Sequence, residues 1–360
     1  MNNIKRLAYI TFCFCLVFVF SACSSSSSTT SGTTKQTGSF VKSFDGGKNW
    51  ENKVKIDDKN NIGLANVLSV AISQKDGNII YIGTEKNGLL VTRDGAEKWE
   101  KLVFPLTKIY GLAIDKNDDQ VVYASGVLDK RAKIFKSING GKDWIEIYTE
   151  PANDSMISSL EISKKNPSVL YCGTSDGVIL KTADGGQSWK NIFKVGGPIV
   201  SIAFDAANDN AVYFGVSGGS IFATLDGGGK TEDLGKINLS DISKGSSISG
   251  FSTYSVEADP IVSGVVYLGT GSGMFKGSDF GKKWEEVNIL ESSKKFPIRA
   301  IAVNPQNPKD MLYSNSQVIY RSIDGGANWF TFQLNTDKVV QVMKYNPFDV
   351  NIIFAGLRKI

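Results

Sequence analysis

Between residues 67 and 103 the apolar side chains arrive in four short bursts. Val67–Ser73, Ile79–Thr84, Leu89–Arg93 and Lys98–Val103 are rich in β-branched and aromatic residues, and segments bearing Gly, Asn or Asp separate them. That is the pattern of four short strands joined by tight turns. The same unit returns along the chain, with turn formers such as Lys75-Asp76-Gly77-Asn78, Asn166-Pro167 and Asn304-Pro305 between its first and second strands. One place in the second strand stays aromatic throughout, at Tyr81, Tyr123, Tyr171, Tyr213, Tyr267, Tyr313 and Phe354. An aromatic residue repeated at one strand position reads as core packing.

Between the third and fourth strands lies an octapeptide whose first copy is Ser43-Phe44-Asp45-Gly46-Gly47-Lys48-Asn49-Trp50. Further copies begin at Thr92, Ser137, Thr182, Thr224, Gly277 and Ser322, about 42 to 53 residues apart, which is the period of a propeller blade. The unit reads Ser/Thr-x-Asp-x-Gly-x-x-Trp. The carboxylates of Asp45, Asp94, Asp184, Asp226, Asp279 and Asp324, with Asn139 in the third copy, can accept hydrogen bonds from N–H groups of their own turn. The glycines supply positive φ at little cost. All six tryptophans, Trp50, Trp99, Trp144, Trp189, Trp284 and Trp329, hold the last position, where the indole packs the turn against its blade. Ala96 replaces a glycine in the second copy, Gly277 replaces the Ser/Thr in the sixth, and Thr231 replaces the Trp in the fifth.

The ends complete one another. Residues 40–54 supply only a third strand, an octapeptide and a fourth strand, while Val339–Tyr345 and Ile352–Leu357 supply a first and a second. Six whole units plus this split one predict an all-β fold over residues 40–360, a seven-bladed propeller of four-stranded blades closed by its own termini. Such a closed ring is expected to be a monomer.

The octapeptides resemble Asp-boxes, or BNR repeats, which occur in sialidases, sortilin-type receptors, xyloglucan-active glucanases and the photosystem II assembly-factor family. The resemblance covers roughly residues 40–360. It implies that the octapeptide is a structural turn on the blade periphery, away from the binding face. Enzymes and non-enzymes share it, so it carries no activity by itself.

Upstream of the repeats, residues 1–22 have a short basic start at Lys5 and Arg6, an apolar run from Leu7 to Phe20, and small residues before Cys23. This is a secretory leader, too short for a comfortable membrane span. Phe20-Ser21-Ala22-Cys23 resembles a bacterial lipobox, which makes Cys23 the lipidated first residue of the mature chain. The Ser/Thr-rich stretch through residue 39 is then a flexible tether. The expected location is the bacterial cell envelope, as an exported lipoprotein meeting the membrane through its lipid alone. Cys13 and Cys15 leave with the leader, so of four cysteines only Cys172 remains in the propeller, inside a strand where it reads as a small buried hydrophobe.

Composition narrows the chemistry. The chain of 360 residues has no histidine, which excludes imidazole-based mechanisms and metal sites. No metal or cofactor is expected. Without Lys5 and Arg6, 38 of the 40 basic residues face 36 acidic ones, a balance that argues against nucleic acid as the main partner.

If the octapeptides lie on one face, the second-to-third-strand turns and the inter-blade linkers form the other. That face offers Glu85-Lys86-Asn87, Asp129-Lys130-Arg131, Ser175-Asp176 and Arg358-Lys359, with linkers Asp57–Asn61, Glu150–Asp154 and Glu232–Gly250. Aligned on their last residue, the inner strands place Ala71, Ala113, Glu161, Ala203, Glu257, Ala302 and Lys344 in one slot, so three charged groups intrude where small residues are the rule. Three residues earlier the column is Leu68, Tyr110, Ser158, Val200, Tyr254, Arg299 and Gln341. Glu161, Glu257, Lys344 and Arg299 are therefore expected to line a polar central channel, as hydrated or paired ions or as a ligand site.

Sialidase-type sites need an Arg triad, a Tyr nucleophile paired with Glu, and an early Arg-Ile-Pro motif. Here the nearest stretch, Phe296-Pro297-Ile298-Arg299, has the wrong order and place. The xyloglucan-active relatives use two facing propellers with Asp catalysts between them, and this chain has one, although Asp129 and Asp176 could form an acid/base pair. These signs favour a non-enzymatic binding or assembly module for a protein complex or a glycan, with a BNR-type glycoside hydrolase as the alternative.

Overall fold

Each repeat folds into a four-stranded antiparallel sheet laid out in sequence order. In the second blade Val67–Ile72, Ile80–Thr84, Leu89–Thr92 and Glu100–Lys101 pair successively from the inside outward. The computed structural model describes residues 38–219, 221–234, 252–291 and 297–360, all of one compact unit. The leader, Cys23, the tether to residue 37 and most of the Glu232–Gly250 linker lie outside the described residues. Those described form seven such sheets, arranged as a β-propeller without a helix.

The ring closes as the termini require. Phe40–Ser43 pairs on one side with Glu51–Asn52 and on the other with Ile353–Arg358, which pairs in turn with Val339–Tyr345. The N-terminal strand is thereby paired on both sides and recruits no other. The fourth strand of the second blade is shorter than the sequence implies, Glu100–Lys101 in place of Lys98–Val103, pairing with its neighbour only at Leu90 and Val91.

The core is divided into seven apolar clusters, each spanning two neighbouring blades rather than one. The aromatic ladder supplies them: Tyr81, Tyr123, Tyr171, Tyr213, Tyr267, Tyr313 and Phe354 are all at most 3% exposed. This corrects the expected role of the tryptophans, which pack against the preceding blade as well as their own. Trp99, 1% exposed, meets Phe40 edge-on at 5.0 Å and donates its indole N–H to the Lys53 carbonyl at 2.8 Å. Trp329 likewise donates across the junction to the Asn288 carbonyl at 2.7 Å. An indole is long enough to bridge two blades, so one residue type both fixes its turn and glues the ring. Cys172, fully buried, belongs to one of these clusters, and burial pushes its thiol far above the usual range.

The octapeptide geometry follows from its residue types. Ser43 donates through Oγ to Asp45 at 2.9 Å and accepts from the Gly47 N–H at 2.7 Å, while Asp45 collects the N–H groups of Lys48 and Asn49 at 3.0 and 2.9 Å. Burial alone would raise the Asp45 carboxyl, but these bonds, led by Asn49, hold it down to about 2. Asp94, Asp184, Asp226 and Asp324 repeat the arrangement, and the Asn139 amide oxygen substitutes for a carboxylate by accepting from Asp143 N–H at 2.9 Å. Ala96 adopts φ 75° where the other copies use glycine, a left-handed strain of about 1 kcal/mol.

Asp279 departs from the role expected of it. With Gly277 in place of a hydroxyl residue, nothing draws the carboxylate inward, and Asp279 itself turns left-handed at φ 52°. Its carboxylate faces Lys282 at 4.0 Å across a shorter hairpin in which Ser278 pairs with Lys283.

Candidate functional site

The octapeptides lean on the first-to-second-strand turns of their own blades, as in the bonds from Gly95 N–H to the Asn78 carbonyl and from Gly140 N–H to the Gln120 carbonyl. Both turn sets therefore share one face, and the second-to-third-strand turns lie on the other. The inner strands run between the two faces around a channel.

Every inner strand carries a β-bulge near its start, with register shifts between Val67 and Ser69, Ile109 and Gly111, Ile157 and Ser159, Ile199 and Ser201, Thr253 and Ser255, Ile298 and Ala300, and Val340 and Val342. The residue left unpaired is in each case the column Leu68, Tyr110, Ser158, Val200, Tyr254, Arg299, Gln341. A bulge frees a side chain from the ladder and re-aims it. All seven residues line one cavity of about 410 Å³ at the octapeptide-distal mouth.

Three residues further along, the column of Ala71, Ala113, Ala203 and Ala302 lines the walls with small side chains, and Glu161, Glu257 and Lys344 project between them. These three also border the distal mouth, so they form a waist reached from both ends.

The waist is an unequal triad. Lys344 Nζ meets Glu257 at 3.3 Å, and the pull of Glu257 keeps the ammonium charged despite burial. Chain surrounds Lys344 on every side, yet 42% of its side chain is wetted by the channel. The Glu161 carboxylate makes no hydrogen bond or ion pair among the described residues. Burial pushes its carboxyl up to about 7, against the attraction of Lys344 and Lys164 and with the repulsion of Glu257.

The mouth has the opposite character. The Arg299 guanidinium stacks over the Tyr254 ring at 4.8 Å, and Lys108 lies over Tyr110 at 5.4 Å. Burial draws Arg299 below its ordinary value, and the like charge of Arg358 acts in the same direction. Neither arginine has a carboxylate partner among the described residues. The buried Oε1 of Gln341 and Oγ of Ser255 are also without partners there.

The remaining candidates stay outside this cavity and serve the local chain. Glu85 accepts from the Asn66 amide at 2.7 Å, which holds its carboxyl down, and Lys86 is exposed beside it. Asp129 and Lys130, with φ 52° and 64°, are the two left-handed residues of a hairpin, and Arg131 donates to Asn153 at 3.2 Å. Burial alone would raise the Asp176 carboxyl, but the Ser155 hydroxyl at 2.7 Å, with Thr174, its own N–H and the charge of Lys194, together hold it down. Of the distal charges named in the sequence, the structure gathers Arg299, Arg358, Glu161, Glu257 and Lys344 and leaves these six on the rim.

Sequence reasoning missed two features. Lys338 is buried at the distal face and donates to the Gly63 and Ala65 carbonyls at 2.8 and 2.6 Å, tying two linkers together. On the other face a cation reaches across the junction to the next octapeptide's glycine carbonyl: Lys42 to Gly95 at 2.7 Å, Arg93 to Gly140 at 3.0 Å, Lys136 to Gly185 at 3.1 Å, Lys181 to Gly227 at 2.6 Å, and Arg321 to Gly46. A basic residue adjoining the first octapeptide position was the available signal. Between the fifth and sixth blades, where Ala223 holds the slot, buried Asp205 accepts from the Ser263 hydroxyl and Gly264 N–H, both at 2.6 Å.

Comparison with known proteins gives the fold and stops there. No family model matches the chain, and no curated protein does. Among solved structures it resembles the GH74 xyloglucanase from Xanthomonas campestris, with a TM-score of 0.67, 19% identity and 82% of this chain covered. The chain spans about half of that enzyme, 51% of its length, and the same share of the GH74 enzyme of Niastella koreensis, with a TM-score of 0.68, 16% identity and 81% of this chain covered. It also resembles YCF48 bound to D1 peptide, with a TM-score of 0.61 and 14% identity over 85% of this chain and 98% of the other.

Proposed function

We propose that the chain is a non-enzymatic binding or assembly module, held to a bacterial envelope membrane by a lipid on Cys23, whose octapeptide-distal mouth receives a segment of a protein partner. One observation carries the reading: seven bulges aim a column that includes Tyr110, Tyr254, Arg299 and Gln341 into a single cavity whose guanidiniums have no carboxylate within ion-pair distance among the described residues. Aromatic and Arg side chains in a concave mouth are what recognition sites concentrate. YCF48, a propeller of nearly the same extent, is a peptide binder in its own complex, which supports a protein partner here. The Ser-Asp-N–H turns support the reading of the octapeptides as Asp-boxes, on the face away from binding.

Tyr254→Ala and Arg299→Gln should abolish co-purification of a stoichiometric envelope partner while the rim changes Lys86→Ala and Lys130→Ala leave it within about twofold. Equal recovery with all four variants refutes the mouth as the site. Cys23→Ser or globomycin should leave the protein unprocessed or soluble, and unchanged membrane retention would refute the anchor.

The glycan and hydrolase reading draws on the GH74 neighbours. Against it, the rim carboxylates Asp176 and Glu85 are held ionised, whereas a general acid needs a raised carboxyl, and the raised carboxyl of Glu161 lies in the waist apart from them. Hydrolysis of xyloglucan or aryl glycosides that Asp129→Asn or Asp176→Asn abolishes would replace the binding module with an enzyme.

A further inference from the structure

The channel holds charge in two layers of opposite sign. At the mouth Arg299 and Arg358 line the cavity with no carboxylate partner among the described residues, and Arg299 is fixed against Tyr254 at 4.8 Å. In the waist Glu257 is taken by Lys344 at 3.3 Å, which leaves Glu161 without a counter-ion in contact. Both layers border one continuous cavity, and the unpartnered Gln341 Oε1 lies in its wall. The bulge column and the waist slot are three residues apart on each inner strand, about 10 Å at 3.3 Å per residue.

We propose that this channel takes a dipolar chain end: an anionic group at Arg299 and Arg358, and a primary ammonium inserted toward Glu161. A C-terminal lysine of a partner has this form. Its carboxylate and extended ammonium lie about 7 Å apart, so one hydrogen bond at either end spans the two layers. The inference rests on the distal mouth as the binding site and adds the chemistry of what enters it.

The layer order fixes the direction of entry. An ammonium arriving first is drawn past the guanidiniums only if the anion follows and neutralises them, so neither ion alone is as well matched as the pair. A divalent metal fits the waist poorly, because the Lys344 ammonium stands where further oxygen ligands would be needed. The alanines of the waist slot leave width for an unbranched methylene chain. Glu161 gains a partner where it now has none, and its desolvated carboxyl becomes the ionised half of a pair.

The test is calorimetric titration of the full chain with 6-aminohexanoate, hexanoate and hexylamine. The first should bind at least about tenfold more tightly than either of the others, since each charge-assisted contact is worth about one factor of ten. Arg299→Gln should weaken 6-aminohexanoate about tenfold without weakening hexylamine, while Glu161→Gln should weaken 6-aminohexanoate equally without weakening hexanoate. A peptide ending in free lysine should bind, and the same peptide amidated at its C-terminus should lose about tenfold, a comparison that needs no variant. Equal affinity for the three small probes, no binding of any of them, or indifference to C-terminal amidation overturns the proposal. If it fails while Tyr254→Ala still abolishes partner recovery, the mouth stands as the site and only the dipolar ligand falls.

Discussion

Glu161→Gln should stabilise the fold at pH 8 and do nothing at pH 4.5. In the folded chain the carboxyl is pushed from 4.5 up to about 7, because burial in the waist outweighs the attraction of Lys344 and Lys164, and Glu257 adds repulsion. Between those two values the folded state holds a proton that the unfolded state has released. Stability therefore falls as pH rises through this window, and the full penalty is present above it. A shift of that size corresponds to about 3 kcal/mol at 1.36 kcal/mol per unit, and channel water should reduce it to about 1–3 kcal/mol. Gln keeps the shape and removes the charge, while Lys344 retains Glu257 at 3.3 Å. Urea unfolding of both proteins at the two pH values measures the difference. Equal stability at pH 8, or a loss on substitution, would mean that Glu161 is stabilised by its neighbours and would refute the desolvation argument.

Arg321→Met should cost about 3–5 kcal/mol in chemical denaturation, since it strips both 2.8 Å bonds from Asp310, whose side chain is only 6% exposed, and cuts the stitch across the ring closure to Gly46. Adding Asp310→Asn should recover part of that loss. Ser322→Ala removes a buried hydroxyl that donates to Asp324 at 2.8 Å and accepts from Gly326 N–H at 2.8 Å, an expected cost of about 1–3 kcal/mol by thermal unfolding. Asn328 N–H, followed by its side chain and Ser322, holds Asp324 down to about 2. The turn's contribution is therefore present above the ordinary carboxylate range and lost as pH falls toward 2, so Asp324→Asn should flatten the acid limb of the stability profile. Cys172 should resist thiol reagents in the native protein and react fully in urea, because it is completely buried and its thiol is pushed up.

Much of the candidate site was already ordered in the sequence as two columns, yet their meaning was not. Alignment put Tyr110, Tyr254, Arg299 and Gln341 in register and already set Arg299 at the channel, but an alternating strand sends such residues to a predictable face, and only the bulges show how the whole column leaves the ladder. Likewise Glu85, Asp129 and Asp176 looked equivalent to Arg358 as exposed loop charges. Asn66, a left-handed hairpin and Ser155 engage the three locally, and those partners come from folding.

The sequence by itself determined the repeat, the four strands of each unit, the aromatic ladder and the shared blade of the two termini, because each depends on residues close together or on a period that recurs. Only the tertiary structure decided that the tryptophans glue neighbouring blades, that Asp279 abandons its turn, and that Lys344 satisfies Glu257 across the channel while Glu161 has no contacting counter-ion among the described residues. Lys344 and Glu257 are 87 residues apart, and their encounter depends on the closure and diameter of the ring. Local hydrogen bonding and side-chain alternation act over a few residues and can be read directly. Desolvation and charge pairing act through space, so they exist only once seven blades have met.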